Sequence, residues 1–73
     1  MKANKLEDGY CTLDRKDDTT QRYWYKCNKD PYATITIRVC GVGETEAKPL
    51  AEQAMEELTS PPSNNEINIG CKN

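Results

Sequence analysis

The segment Arg22-Tyr23-Trp24-Tyr25-Lys26 holds the densest group of side chains suited to binding a partner. Tryptophan, tyrosine and arginine are the residue types most enriched at the energetic centres of interfaces. An exposed Trp24 can enter a pocket on a partner while Arg22 and Lys26 meet acidic groups. Alternatively, Trp24 packs beneath the amino-terminal segment or under Leu6. The residue pattern alone does not choose between these two positions.

Groups suited to catalysis are scarce. The sequence has no histidine, which is the commonest general base and metal ligand. Its only serines, Ser60 and Ser63, lie in a proline-rich stretch with no base beside them. Asp17 and Asp18 are typical of a solvated turn, and their surroundings lack the ligand alternation of a calcium loop. We therefore expect no catalytic residue, no metal site and no cofactor.

The four cysteines predict two disulfides. None of them forms a C-x-x-C pair, and the absence of histidine disfavours a zinc site. An even number of widely spaced cysteines in a short chain is typical of proteins that work outside the cell. We favour the pairs Cys11–Cys27 and Cys40–Cys71, while the other two connectivities stay open. The competing interpretation is an intracellular interaction module with four free thiols.

The chain is long enough for one small domain. It has 73 residues, of which 36% are hydrophobic, and it contains no phenylalanine. A core of this size supplies only about 3–5 kcal/mol, so disulfides worth roughly 3 kcal/mol each would matter as much. The net charge of −2 and a pI near 5.0 favour neither nucleic acid nor an anionic membrane as partner.

The chain is expected to begin with a polar lead-in over residues 1–8, followed by a single domain over 9–73. No apolar run occurs in residues 1–10, so we expect no signal peptide in this sequence, and a secreted protein would correspond to the mature segment. No stretch is apolar and long enough to insert in a membrane.

Two strands around the polar run RKDDTTQ predict a hairpin. If Cys11 lies opposite Cys27, Leu13 lies opposite Tyr25 and Arg15 opposite Tyr23. Alternation then gives one face to the core residues Cys11, Leu13, Tyr23, Tyr25 and Cys27. The other face carries Tyr10, Thr12, Asp14, Lys16, Arg22, Trp24 and Lys26. A register slip of one residue would exchange the two faces.

The rest of the chain predicts a strand, a helix and a final strand. In residues 33–39, alternate residues Ala33, Ile35, Ile37 and Val39 face the core. Residues 46–60 have helical periodicity, with Pro49 in the first turn and Thr45 as candidate cap. Residues 66–71 form the last strand. We therefore predict an α+β fold: an antiparallel sheet of about four strands, in the order strand-strand-strand-helix-strand, with one helix packed on it.

Two resemblances follow from these segments. The spacing from Cys11 to Cys27, with Arg22-Tyr23-Trp24 before the second cysteine, resembles the two-disulfide α-amylase inhibitors of the tendamistat type. In that family the triplet is Trp-Arg-Tyr, it stands in the first disulfide loop, and the fold has no helix. The order CTLD, YWYKC, ATITIRVC, helix and EINIGC also resembles small secreted cysteine-rich effectors and killer-protein-like domains of fungi. That resemblance implies an α+β fold stapled by disulfides and carries over no site residue.

We therefore expect a secreted, monomeric and non-catalytic binding protein of effector type. Its partner would be a protein or other macromolecule of a host or competitor, and its candidate binding residues are Tyr10, Lys16, Arg22, Trp24 and Lys26. A small hydrolase inhibitor that uses the hairpin 11–27 against a glycosidase or protease is the first alternative. The second is the intracellular module with free thiols.

Overall fold

The computed structural model describes residues 10–29, 32 and 34–72. The predicted lead-in 1–8 and the core position Ala33 lie outside this range. Three strands come first, β1 (Cys11–Asp17), β2 (Arg22–Asn28) and β3 (Thr34–Cys40). They are followed by helix α1 (Glu44–Glu56), a short 3₁₀ turn (Ser63–Asn65) and strand β4 (Glu66–Ile69).

The four strands form one sheet in the order β1-β2-β3-β4, with α1 packed on one face. The predicted α+β fold, its order of elements and both favoured disulfides, Cys11–Cys27 and Cys40–Cys71, are confirmed. The pairs β1–β2 and β2–β3 are antiparallel, whereas β4 pairs with β3 in parallel. The sheet is therefore mixed, because α1 is a crossover that lets β4 run in the direction of β3.

The hairpin register follows the prediction at its disulfide end and departs from it farther along. Cys11 pairs with Cys27 and Leu13 pairs with Tyr25, as expected. A bulge between Leu13 and Arg15 then shifts the register. Because a bulge sets two residues of one strand against one of its partner, the later residues of β1 exchange faces. The predicted pairing of Arg15 with Tyr23 is wrong: Arg15 lies opposite Trp24 and Lys16 opposite Tyr23.

The core lies between α1 and one face of the sheet, as the alternation predicted for most of its residues. Tyr23 and Tyr25 are each 2% exposed, and the core is completed by Cys11, Cys27, Ile35, Ile37, Val39, Ala47, Ala51 and Met55. Leu13 is the exception, since 38% of it is exposed. It stands on the edge strand β1, and α1 lies mainly over β2 and β3.

Helix α1 begins earlier than predicted. Its cap is Gly43, which has no side chain to offer, so Thr45 lies in the first turn and Pro49 lies inside the helix. Glu44 and Glu46 in that turn favour the early start because carboxylates stabilise the positive end of a helix. At the other end Lys29 Nζ donates a 2.8 Å hydrogen bond to the carbonyl of Met55. This lysine supplies the cation that the last turn of α1 lacks.

Candidate binding face on the open side of the sheet

The face of the sheet that points away from α1 is covered by no helix or strand of the described chain. We call it the open face. Its residues alternate along each strand with the core residues. They are Thr12, Arg15, Asp17, Arg22, Trp24, Lys26, Asn28, Thr34, Thr36, Arg38, Cys40, Glu66 and Asn68.

One row of residues crosses the open face from edge to edge. Arg15 of β1 pairs with Trp24 of β2, Trp24 with Arg38 of β3, and Arg38 with Asn68 of β4. The Arg15 guanidinium carbon lies 4.6 Å from the centre of the Trp24 ring. Such a cation–π contact holds the ring in place from the β1 side. The bulge creates this row, because an unshifted register would turn Arg15 toward the core.

Two further rows flank the Trp24 row. Asp17, Arg22 and Cys40 stand level on one side. On the other side the level residues are Thr12, Lys26, Thr36 and Glu66. The open face thus carries four cations against two carboxylates, while residues 44–57 carry five glutamates and one lysine. The molecule is acidic on its helix side and cationic on its open face, although its net charge is −2.

Two concave regions of the open face share Arg38. The Trp24 groove has a volume of about 190 Å³ and is lined by Trp24, Thr36, Arg38, Glu66, Ile67 and Asn68. The cationic hollow, about 530 Å³, is lined by Thr20, Arg22, Arg38, Cys40, Gly70, Cys71 and Lys72. The Nε atom of Arg38 is buried and has no hydrogen-bond partner in the described chain. A buried donor without a partner costs free energy, so this atom favours a ligand or water beside it.

The shape of the cationic hollow depends on Gly70. Its φ of +71° is a left-handed conformation that glycine adopts without strain. A Cβ atom there would stand 2.7 Å from the carbonyl oxygen of Cys40, which is closer than such atoms approach. The Cys40–Cys71 disulfide fixes the same two segments of chain. The disulfide and the close approach at Gly70 therefore hold these two segments together at the floor of the hollow.

Three of the five candidate binding residues lie together on the open face: Arg22, Trp24 and Lys26. Trp24 is partly buried, in contact with Arg15. Its alternative position under Leu6 falls outside the described residues. The two strand tyrosines beside it are buried, as expected.

Lys16 and Tyr10 lie elsewhere, contrary to the prediction that places them beside Trp24. The bulge turns Lys16 to the helix side, where its Nζ is 3.0 Å from Glu44 Oε1 and 3.5 Å from Asp18 Oδ2. The hydrogen bond to Glu44, with the charge of Asp18, raises the pKa of Lys16. Tyr10 precedes β1, so strand alternation does not govern it, and its ring lies 5.4 Å from Nζ of Lys48 on α1.

Sequence reasoning missed Arg15 and Arg38 as members of the site. The outward direction of Arg38 follows from the alternation in β3, but its position beside Trp24 depends on the β2–β3 register. Nothing in the sequence fixes that register before the fold is known. Arg15 reaches Trp24 only through the bulge, and no residue around Leu13 marks a bulge, since glycine is absent there.

Other kinds of site receive no support from the described part of the chain. No group of three or more histidine, cysteine, aspartate or glutamate side chains is arranged to hold a metal ion within residues 10–29, 32 and 34–72. No helix among the same residues is long and apolar enough to cross a membrane. All four cysteines are in disulfides. Comparison with known proteins finds no matching family model, no similar curated protein and no similar solved structure.

Proposed function

We propose that this chain is a non-catalytic binding protein of effector type that works outside the cell and contacts its partner through the open face. The partner is a macromolecule of a host or competitor that presents acidic groups. The row formed by Arg15, Trp24 and Arg38 carries this proposal. Its tryptophan stands between two arginines on the neighbouring strands, and the guanidinium group of Arg15 lies against the ring. Rigid aromatics flanked by arginines are typical of the energetic centres of interfaces.

The charge distribution supports an acidic partner. The cations of the open face lie on one side of the sheet, and the glutamates of α1 lie on the other. A partner with acidic groups is attracted to the first surface and repelled by the second. Complementary charge of this kind fixes the orientation of a complex and raises its association rate.

Work outside the cell is supported by the two disulfides. They close loops with sequence separations of 16 and 31 residues, which correspond to roughly 3 and 4 kcal/mol of stabilisation. A small domain that depends on disulfides to this extent suits an oxidising environment. The alternative of an intracellular module requires free thiols, and all four cysteines are bonded.

The inhibitor alternative has less support. Arg15 and Trp24 do lie within the hairpin closed by Cys11–Cys27, as that alternative requires. However, Trp24 stands in the middle of β2, while the tip of the hairpin is the polar turn 18–21. A side chain in the middle of a sheet face meets a flat or convex partner more readily than the cleft of an enzyme.

The test compares binding to three acidic polymers, namely poly-glutamate, a uronic acid oligomer and single-stranded oligo(dT). We expect the chain to bind at least one of them, and Trp24→Ala and Arg22→Gln each to weaken that binding about tenfold, the effect of removing a central interface residue. The charge-matched control is Lys48→Gln on α1, which should bind like the unchanged chain. Failure to bind any of the three, or equal loss in the Lys48 control, would refute the proposal.

The free energy of unfolding of the Trp24→Ala variant shows whether this side chain is needed for binding or for the fold. Trp24→Ala should lower the free energy of unfolding by about 1 kcal/mol or less, since the ring is only partly buried. A loss of 3 kcal/mol or more would be about the size expected for a core aromatic. That result would assign Trp24 to the fold and remove it from the binding site.

A further inference from the structure

We propose that the open face binds an acidic oligosaccharide, with a sugar ring in the Trp24 groove and its carboxylate or sulfate group in the cationic hollow. This inference rests on the proposed function and names the chemical class of its partner. Two neighbouring observations carry it: the mixed polar and aromatic lining of the groove, and the three cationic side chains that line the hollow.

The lining of the Trp24 groove matches the chemistry of a sugar. Each sugar hydroxyl both donates and accepts hydrogen bonds. Asn68 and Thr36 also do both, Glu66 accepts, and Arg38 donates. The C–H groups on one side of a sugar ring carry slight positive charge, which suits the negative face of an indole ring. A volume of about 190 Å³ is that of roughly six water molecules, enough for one small ring.

The cationic hollow lies beside the groove and accepts an anion. Arg22, Arg38 and Lys72 line it, and none of the described residues that line it carries a carboxylate. Within the described chain none of these three side chains forms an ion pair, since the ion pairs there belong to Lys16. Guanidinium groups bind carboxylate and sulfate oxygens in pairs, and the buried Nε of Arg38 has no hydrogen-bond partner among the described residues.

Arg38 joins the two regions, because it lines both. A ligand that fills groove and hollow together must therefore carry its anionic group next to its ring. A uronic acid or a sulfated sugar has this arrangement. Because the disulfide and Gly70 hold the floor in place, binding should require little ordering of the protein.

Nucleic acid and acidic peptides fit the same surface less well. Glu66 in the groove and Asp17 level with Arg22 repel the phosphates of a nucleic acid and the anions of a saccharide alike, so charge does not separate these two classes. The polar groups beside the indole ring favour the saccharide, because they match the hydroxyl groups that a sugar carries around its ring. An acidic peptide would use the arginines and the lysine, but would give no role to Asn68, Thr36 and Glu66 beside the indole ring. These two classes are therefore the competing outcomes of the test.

The experiment is a titration followed by amide and indole NMR signals of the intact, disulfide-bonded chain. The ligands are a uronic acid tetramer, its neutral methyl ester, a sulfated tetrasaccharide of the same length, oligo(dT) and poly-glutamate. We expect the uronic acid or the sulfated saccharide to bind at least about tenfold more tightly than the methyl ester. The signals that move should include the Trp24 indole N–H and the Asn68 side-chain amide. Comparison of the two charged saccharides then identifies carboxylate or sulfate as the preferred anion.

The variants separate the two regions of the site. Trp24→Ala should weaken binding of the charged and the neutral saccharide alike, whereas Lys72→Gln should weaken only the charged one. Arg38→Gln should weaken both, and Lys72→Gln keeps the anion test valid if Arg38→Gln unfolds the chain. Lys48→Gln should change neither. Unfolding of the Lys72→Gln variant would weaken binding of both saccharides. Weaker binding of the charged saccharide alone therefore cannot result from unfolding.

The outcomes distinguish this inference from the proposed function. If oligo(dT) or poly-glutamate binds more tightly than the saccharides and moves the same signals, the open face is the binding surface but the saccharide assignment is wrong. If the methyl ester binds as tightly as the acid, the role of the hollow is wrong. If none of the ligands binds, the inference and the proposed function both fail.

Discussion

The face of the sheet beneath α1, which we call the covered face, and the open face are built from alternate residues of the same strands. They differ in burial, polarity and charge. On β2, Tyr23 and Tyr25 are buried beneath α1, while Trp24 between them lies on the other side with Arg15 against its ring. On β3, Ile37 is fully buried and its neighbour Arg38 lines two concave regions. Each of these strands thus divides its residues between the core and the open face at every second position.

The chain has a small core and still leaves its tryptophan outside it, and the structure of the two faces gives the reason. Burial under α1 uses the aliphatic and tyrosine side chains, and the two disulfides add to the stability of the fold. The open face needs no apolar filling, so it can hold cations and an aromatic ring. If this division is correct, substitutions on the covered face reduce stability and substitutions on the open face reduce binding.

The largest effect is expected from the adjacent residues Ile37 and Thr36. Ile37→Ala should lower the free energy of unfolding by about 4 kcal/mol, because it leaves a cavity in a fully buried site. That loss is comparable to the whole contribution of so small a core. Thr36→Ala, one residue away on the open face, should cost less than about 1 kcal/mol. Urea unfolding at neutral pH measures both.

Equal losses in these two variants would contradict the division between the faces. Equal losses would mean that the open face is packed as tightly as the core and contributes as much to the stability of the fold. Binding of the uronic acid tetramer distinguishes the two faces further. Thr36→Ala should weaken it through the lost hydroxyl in the Trp24 groove, although its fold is intact.

The next largest effect is expected from the two disulfides, which lie on different faces of the sheet. Replacing Cys40 and Cys71 together by alanine should cost roughly 4 kcal/mol, and replacing Cys11 and Cys27 roughly 3 kcal/mol, following the loop lengths. Cys11 and Cys27 lie in the core, whereas Cys40 and Cys71 line the cationic hollow. Therefore only the replacement of Cys40 and Cys71 should also weaken binding of the charged saccharide. Binding is measured under conditions in which both variants remain folded.

Intact mass after alkylation provides the control for this prediction. The unchanged chain, denatured without reductant, should take up no alkyl group, and each double variant should behave likewise. Uptake in a variant would show that its remaining pair is open, and the stability difference would then have another cause. If both double variants bind the saccharide equally, the Cys40–Cys71 disulfide has no part in shaping the hollow.

Much of the covered face follows from the sequence, because burial imposes a strong period on β2, β3 and α1. Alternation places Ile35, Ile37 and Val39 correctly, and helical spacing places Ala47, Ala51 and Met55. Both favoured disulfides are also correct, although the sequence left the other two connectivities open. The covered face is predictable because its residues must be apolar and regularly spaced to be buried at all.

The open face follows less completely, since no comparable requirement acts on exposed residues. The direction of Trp24, Arg22 and Lys26 follows from their tyrosine neighbours. The contacts between strands do not, because they depend on the β2–β3 register and on a bulge without glycine. That bulge brings Arg15 to Trp24 and removes Lys16. The alternation of residues along one strand cannot predict either of these two changes.

The smallest expected effect is the loss of stability at alkaline pH, and it tests the covered face alone. Burial raises the pKa of Tyr25 and of Tyr23 above the ordinary value near 10, with Glu44 and Asp18, respectively, adding their negative charge. The folded chain therefore holds these protons more tightly than the unfolded chain. The associated stability is complete below pH 10 and is lost as the pH rises above 10 toward the raised values.

Urea unfolding at pH 8 and at pH 10.5–11 should show this decrease, and the variant Tyr23→Phe/Tyr25→Phe should show less of it. Some decrease should persist in the variant, because the pKa of Lys16, raised by its hydrogen bond to Glu44, acts with the same sign. Trp24→Phe on the open face is the matched control and should keep the full decrease, since it removes no group that titrates there. If the double tyrosine variant loses as much stability as the unchanged chain, the tyrosines are not held in a desolvated core. The covered face would then differ from the open face in composition but not in burial.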